Sequence, residues 1–352
     1  MCQVAIITCH DVYNFGASLQ AYALASFISD AGHDVKVIDY KPDYITRPFR
    51  FDAVKKAGWD YPLLRQLHVL VTLPQRLLFR QHKVLSDQFI HTYLPLTSTT
   101  YHSLDQLREA SLDAQLLITG SCQIWNPRYD MGCDPAFYLH FGPESARRIS
   151  YAPSFTSAIL PQGSEAKLKK LISRLDRVTV REVSGLKNLQ QMGIEGSHVC
   201  DPVFLRSEQS WRDLASKAQL PSWLPSKYVL LYDVEGSPLL HNRAHDDAAE
   251  MHRPIVKIEG CTMRCGWHIA PCGPIEFLAL MLGTKDVWSN SYHALAFSKL
   301  FGRSMNLVMR ADISNMRLLD LCGQKASVLQ DHIDDSANFL LSELSGVMKI
   351  VS

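Results

Sequence analysis

Short hydrophobic runs alternate with amphipathic stretches along most of the chain. The apolar runs at residues 4–8, 35–40 and 227–234 predict buried strands, because parallel strands with both faces covered are nearly continuously apolar. Between such runs, residues 18–29 and 274–282 carry apolar side chains at the three- and four-residue spacing of helices. Strands that alternate with helices in this way predict a doubly wound α/β fold.

The length of 352 residues suits two domains. We predict a Rossmann-like N-terminal domain over 1–205, a second Rossmann-like domain over 206–352, and a cleft between them. A proline-interrupted helical pattern over about 42–108 predicts an insertion packed on the first domain.

Charge and cysteine content exclude some classes of protein. The 36 basic and 35 acidic residues give no overall field, so nucleic-acid binding through a basic face is not predicted. Nine scattered cysteines, and a first strand that follows Met1 almost directly, lead us to expect a reduced, cytoplasmic protein without signal peptide or membrane span.

One segment of the insertion has two interpretations. Residues 63–83 mix apolar side chains with four basic ones, and such a stretch can lie on the anionic inner face of a membrane. The alternative is a pair of helices packed on the sheet.

The stretch 286–308 reads as strand, turn, helix and strand, with Ser291, Tyr292 and His293 in the turn. Ligands of open α/β sheets lie beyond the carboxyl ends of strands, beside helix N-termini that favour anions. His293 stands at such a junction and can carry a proton near neutral pH. The alternative is a histidine whose hydrogen bonds hold the turn together.

Other polar residues follow predicted strands and would face the same cleft. The first turn, which lacks the G-x-G-x-x-G fingerprint, carries Asn14, Gly16 and Gln20. Two later strands lead to the remaining candidates, Gln123, Trp125, Asn126 and Arg181.

A metal site is a further alternative for the segment CTMRCGWHIAPC. Cys261, Cys265, His268 and Cys272 are suitable zinc ligands, but their spacing matches no standard pair of knuckles. We therefore favour a loop with incidental thiols.

Six motifs in order resemble the polysaccharide pyruvyl transferase family: NFGASLQAYAL, GSCQIWNP, SYAPSF, TVREVSGL, DPVFL and PIEFLALMLGTKDVWSNSYHALAFSKLF. The resemblance implies a fold like the two-domain GT-B glycosyltransferases and transfer of a pyruvyl group from phosphoenolpyruvate to sugar hydroxyls as a ketal. The implied acceptor is a lipid-linked polysaccharide precursor, and no metal or organic cofactor is implied.

The resemblance also implies roles for single residues. His293 would be the general acid, and Arg181 would bind a carboxylate or phosphate. The alternative for Arg181 is a structural salt bridge to Glu182 or Asp201. The donor side of the cleft would be formed by Asn14, Gly16, Ser291 and Arg317. The acceptor side would be formed by Gln20, Gln123, Trp125 and Asn126, with Trp125 stacked on a sugar ring.

The chain departs from the family pattern at four positions. Cys122 replaces an aspartate, Tyr292 a phenylalanine, Ala294 a glycine and Ser291 an arginine. Two alternatives therefore stay open: a glycosyltransferase that uses a nucleotide sugar, and a catalytically silent subunit of a polysaccharide assembly complex. The sequence leaves an oligomer possible.

Overall fold

The computed structural model describes residues 1–46, 73, 83–309 and 316–351. Two β-sheets dominate it. The first sheet is fully parallel, with the order β3-β2-β1-β4-β5. Its strands are β1 (Gln3–Ile7), β2 (Asp34–Tyr40), β3 (Leu96–Tyr101), β4 (Leu116–Thr119) and β5 (Arg147–Ser150). A short parallel pair follows, formed by β6 (Thr179–Val180) and β7 (Ser197–His198).

The second sheet has the order β11-β10-β9-β8-β12-β13. Its strands are β8 (Val229–Tyr232), β9 (Ile255–Glu259), β10 (Thr262–Cys265), β11 (His268–Pro271), β12 (Asp286–Ser289) and β13 (Ser304–Leu307). Four of these strands are parallel, whereas β10 and β11 form an antiparallel hairpin at the edge.

Helices cover both faces of each sheet. Those of the first half are α1 (Phe15–Asp30), α2 (Asp43–Thr46), α3 (Val84–Tyr93), α4 (Leu104–Glu109), α5 (Glu165–Ile172) and α6 (Val183–Gln191). Those of the second half are α7 (Glu208–Ala215), α8 (Pro238–Glu250), α9 (Pro274–Gly283), α10 (Tyr292–Leu300), α11 (Met316–Gly323) and α12 (Ala326–Val351). Short 3₁₀ turns lie at Asp130–Cys133, Pro135–Tyr138 and Pro202–Leu205. The predicted α/β fold, with a mainly parallel sheet in each half of the chain, is confirmed.

Two helices connect the halves. The last helix, α12, returns to the first sheet, where Leu340 and Leu344 join the core formed by Val4 and Leu24. In the other direction, Phe15 of α1 packs against Phe277 of α9, with ring centroids 5.5 Å apart. Side chains of each half therefore pack against the other half, on both sides of the boundary predicted near residue 205.

Strand β3 corrects the interpretation of 42–108 as a helical insertion. Val37 pairs with Leu96, so the later part of that stretch belongs to the first sheet. The pattern was misleading because this edge strand exposes Ser98, Thr99 and Thr100 and has no apolar run. The basic stretch 63–83 lies almost wholly outside the described residues, and its membrane contact stays a prediction. In the described ranges no helix is long and apolar enough to cross a bilayer.

Candidate functional site

His293 lies in the first turn of α10, which begins at Tyr292, whereas the sequence predicted that Tyr292 and His293 belong to the turn before the helix. Ser291 is the N-cap, and its Oγ accepts a hydrogen bond from the Ala294 amide at 3.5 Å. The Ser291 amide in turn donates to Ser289 Oγ at 3.0 Å. These bonds fix the strand-to-helix turn that presents His293, and they engage Ser291 in capping.

Asp201 joins the two residues that the sequence singled out for chemistry. Its Oδ2 lies 2.8 Å from Arg181 Nη1 and 3.4 Å from His293 Nε2. The Asp201 side chain is fully buried, whereas that of His293 is 12% exposed. Burial raises the pKa of Asp201, but the positive charges of His293 and Arg181 lower it further, so the net pKa is well below its usual range. The carboxylate is therefore an ionised bridge between a guanidinium and an imidazole.

Arg181 directly follows β6 and is held on several sides. Besides its bond to Asp201, Nη1 donates to Ser121 Oγ at 3.2 Å, and Nε lies 3.4 Å from Glu182 Oε1. The guanidinium carbon lies 4.7 Å from the centre of the Tyr292 ring. Burial lowers the pKa of Arg181, but Glu182 and Asp201 outweigh it, so the net pKa is raised. Nη2 has no hydrogen-bond partner among the described residues, which leaves donor capacity for an anion.

Gly16 brings the first domain to the same point. A Cβ at this position would lie 1.9 Å from Nδ1 of His293, so only glycine permits the contact. Asn14 caps α1, and its side chain accepts a hydrogen bond from the Ala17 amide at 3.2 Å. The structure thus brings together His293, Arg181 and Gly16, with Asn14 beside them at the N-terminus of α1.

The structure places the Trp125 side chain in the core, which contradicts its predicted stacking on a sugar ring. The side chain is completely buried, and Nε1 donates to the Phe137 carbonyl at 3.0 Å. Its ring stacks on Tyr138 at a centroid distance of 5.2 Å. Because its ring contacts Tyr138 and Phe155 and its donor is used inside the core, Trp125 supports the loop after β4.

Asn126 is also buried, and its Oδ1 accepts from the Arg128 amide at 3.1 Å, which argues against its assignment to the acceptor side. Gln20 is buried and donates to Thr8 Oγ1 at 3.0 Å, but its Oε1 has no hydrogen-bond partner among the described residues, so its role stays a prediction. Gln123 is half-buried. The side chain of Arg317 is outside the described residues, so its role as an anion ligand stays a prediction.

The segment CTMRCGWHIAPC folds into the β10–β11 hairpin rather than a loop. Cys261 and Cys272 are buried at its base, whereas His268 is exposed and stacks on Trp223 with centroids 5.5 Å apart. Among the described residues no three histidine, cysteine or acidic side chains are placed to hold a metal ion.

Asp201 was absent from the predicted site. It had appeared only as one of two partners for a structural ion pair of Arg181. Asp201 begins the motif DPVFL, and an acidic residue directly before Pro202 in that motif is the signal that could have identified it.

Cys122, the position that is acidic in the family pattern, adopts φ 94° beside the site. Cys9 is hydrogen-bonded to it, and that bond together with burial raises the pKa of the Cys9 thiol well above its usual range. The thiols of Cys9, after β1, and Cys122, after β4, therefore lie together at the carboxyl ends of these two strands.

The polysaccharide pyruvyl transferase family model matches residues 14–305. No curated protein matches the chain significantly. Solved structures with similar folds include an α-glucosyltransferase in complex with UDP and DNA, 10% identical, covering 97% of this chain and 95% of its own, with a TM-score of 0.45. The UDP-GlcNAc 2-epimerase of Methanocaldococcus jannaschii is 9% identical, with coverages of 92% and 94% and a TM-score of 0.43.

Proposed function

The chain belongs to the polysaccharide pyruvyl transferase family and is therefore a transferase, and we propose that it moves the pyruvyl group of phosphoenolpyruvate onto a polysaccharide precursor sugar. Two hydroxyls of that sugar would become the oxygens of a cyclic ketal, and inorganic phosphate would leave. We further propose that the precursor is lipid-linked. The observation that carries the proposal is the single carboxylate of Asp201 between Arg181 and His293.

The first step needs a proton donor at the methylene carbon of the enol. In the proposed reaction His293 gives its proton to that carbon while the first sugar oxygen bonds to the neighbouring carbon. Asp201 stabilises the protonated imidazole before transfer, because an ionised, buried carboxylate lies 3.4 Å from Nε2. The first hydroxyl gives its proton back to His293 as its oxygen bonds. The phosphate then departs with the proton of the second hydroxyl, whose oxygen takes its place on the same carbon.

Phosphoenolpyruvate carries a carboxylate and a phosphate, and the site has two features that attract anions. Arg181 keeps its charge and has an unpartnered Nη2, which suits a carboxylate or phosphate oxygen. The N-terminus of α1, a helix of 16 residues, approaches the His293 ring through Gly16. The amide groups and dipole of such a helix end favour an anion.

The test presents the protein with pooled glycan acceptors, free and lipid-linked, together with either phosphoenolpyruvate or UDP-sugars. Products are analysed by mass spectrometry. We expect a pyruvylated glycan with phosphoenolpyruvate and none with the UDP-sugars. A glycosylated product from a UDP-sugar would establish the glycosyltransferase alternative. Pyruvylation of free acceptors alone would remove only the lipid-linked part of the proposal.

A further inference from the structure

We propose that the β10–β11 hairpin binds the surface of an anionic lipid bilayer. In this arrangement Trp267, at the tip, enters the interfacial region, and Arg264 meets lipid phosphates. The inference is independent of the reaction, because binding to a membrane can be measured without any turnover.

Trp267 is the most exposed large hydrophobic side chain among the described residues, with 99% of its surface accessible. It follows Gly266, whose φ of 56° makes the tight turn between β10 and β11. Ile269, two residues further on, is 46% exposed. A tryptophan that is completely outside a folded protein is unusual, and tryptophan is enriched where membranes meet water.

Two positively charged residues lie opposite each other on neighbouring strands beside this tip. Arg264 lies directly opposite Lys257 in the antiparallel ladder. Like charges in that position repel each other, so an anion that bridges them would stabilise the pair. Lys257 has a local partner, since its Nζ lies 2.5 Å from Glu259. Arg264 is exposed and has no acidic partner within the described ranges.

A surface pocket of about 560 Å³ adjoins the hairpin on the same face. Its lining includes Arg253, Lys257 and Arg264, together with Glu259 and the apolar side chains of Leu231 and Ile255. Arg253 is paired with Asp286 and Lys257 with Glu259, so Arg264 is the cation of this lining that has no acidic partner among the described residues. An unpaired arginine beside apolar side chains and an exposed indole complements a phosphate headgroup above acyl chains.

The hairpin lies at the edge of the second sheet away from His293. Strand β9 is parallel to β8, and β12 is parallel to β8 as well, so the carboxyl ends of all three point toward the turn that carries His293. Strand β10 runs back antiparallel to β9. Its turn at Gly266 and Trp267 therefore lies at the opposite end of the sheet, beside the amino ends of β8 and β9. Substitutions in this turn leave the site around His293 intact.

Co-sedimentation with vesicles tests the proposal. The vesicles are phosphatidylcholine alone, or phosphatidylcholine mixed with anionic phosphatidylglycerol. We expect binding to the mixed vesicles only. Trp267→Ala should weaken it roughly ten-fold through lost apolar burial, and Arg264→Glu about 20-fold, because one cation near the surface is replaced by an anion. The controls Leu239→Ala, 51% exposed on α8, and Arg108→Glu, on α4, should bind like the original chain.

Three results would overturn the proposal. Equal binding by Trp267→Ala, Arg264→Glu and the controls would show that the hairpin is not the docking surface. A concentration-dependent dimer in ultracentrifugation that Trp267→Ala abolishes, without vesicle binding, would assign the tip to a second copy of the chain. Binding of inorganic phosphate at Arg264 with no binding to vesicles would leave an anion site without a membrane.

Discussion

The ring of His293 lies against Gly16, and a methyl group at residue 16 would fall 1.9 Å from Nδ1. The contact joins the first helix of one half of the protein to the first turn of α10 in the other half. The position of the His293 ring therefore depends on the absence of a side chain at residue 16 of α1.

Gly16→Ala should therefore impair activity more than folding. The new methyl group must displace the imidazole from its present position, and a misplacement of about 1 Å can cost on the order of 100-fold in rate. Phosphate release and circular dichroism would be measured together. Gly346→Ala on α12 is the matched control, because nothing lies within 4 Å of a Cβ there. It should retain full activity and gain up to about 1 kcal/mol of stability. Full activity in Gly16→Ala would contradict the contact.

Asp201→Asn should destabilise the fold by roughly 3 kcal/mol at neutral pH, because it removes the charge that balances buried Arg181. The pKa of Asp201 is depressed in the folded state. The stabilisation is thus present above the unfolded pKa of about 4 and is lost as the pH falls below it. Urea unfolding across that range should show a steeper acid loss in the original chain than in Asp201→Asn.

Asp105→Asn is the matched control for that substitution, because Asp105 forms a surface pair with Arg108 and is 81% exposed. Its unfolding free energy should change by less than about 1 kcal/mol. If Asp201→Asn were equally harmless, the buried ion pair would not stabilise the protein as described.

Trp125→Ala should lower the free energy of unfolding by about 3–5 kcal/mol, since it leaves a cavity beside Tyr138. Trp267→Ala, at the exposed hairpin tip, should change it by less than about 0.5 kcal/mol. Thermal or urea unfolding of both variants checks this difference. Unchanged stability in Trp125→Ala, with a raised KM for the acceptor, would restore the stacking role that burial argues against.

His332 should make stability depend on pH in mildly acidic solution. Its ring stacks on His198 with centroids 4.3 Å apart, and burial together with His198 lowers its pKa to about 4, against the opposing charge of Asp335. The unfolded chain takes up a proton near pH 6.5, which the folded chain resists. Stability should therefore fall by about 1–2 kcal/mol, allowing for solvent screening, as the pH drops from about 6.5 to about 4.

His332→Leu should flatten this slope, because it keeps the apolar contact and removes the titrating group. The exposed His91→Gln on α3 should leave the slope in place. Urea unfolding at a series of pH values measures both. A slope that survives in His332→Leu would assign the pH dependence to other groups.

The strands and helices that follow strong periodic patterns could be predicted from the sequence, as the strand predicted at 35–40 and found as β2 (Asp34–Tyr40) shows. Strand β3 could not, because its hydroxyl-rich sequence has no apolar alternation and its place in the sheet depends on pairing with β2. The β10–β11 hairpin was obscured by cysteines that suggested a metal site.

The site was predicted in part. His293 and Arg181 were predicted from residue type at strand ends, and the structure brings them to one carboxylate. Trp125 was not predictable in the same way, because a tryptophan at a strand end has the same local sequence whether it faces a cleft or the core. Only the packing of residues distant in sequence, such as Tyr138, decides between these positions.

The most direct measurement of the central claim is phosphate release from phosphoenolpyruvate with pooled glycan acceptors, for the original chain and for His293→Ala. We predict release that requires the acceptor in the original chain, and loss of at least about 100-fold in the variant, since general acid catalysis is typically worth that much. Equal release by both would remove His293 from the chemistry. No release by either, with no detectable binding of phosphoenolpyruvate, would contradict the proposed donor.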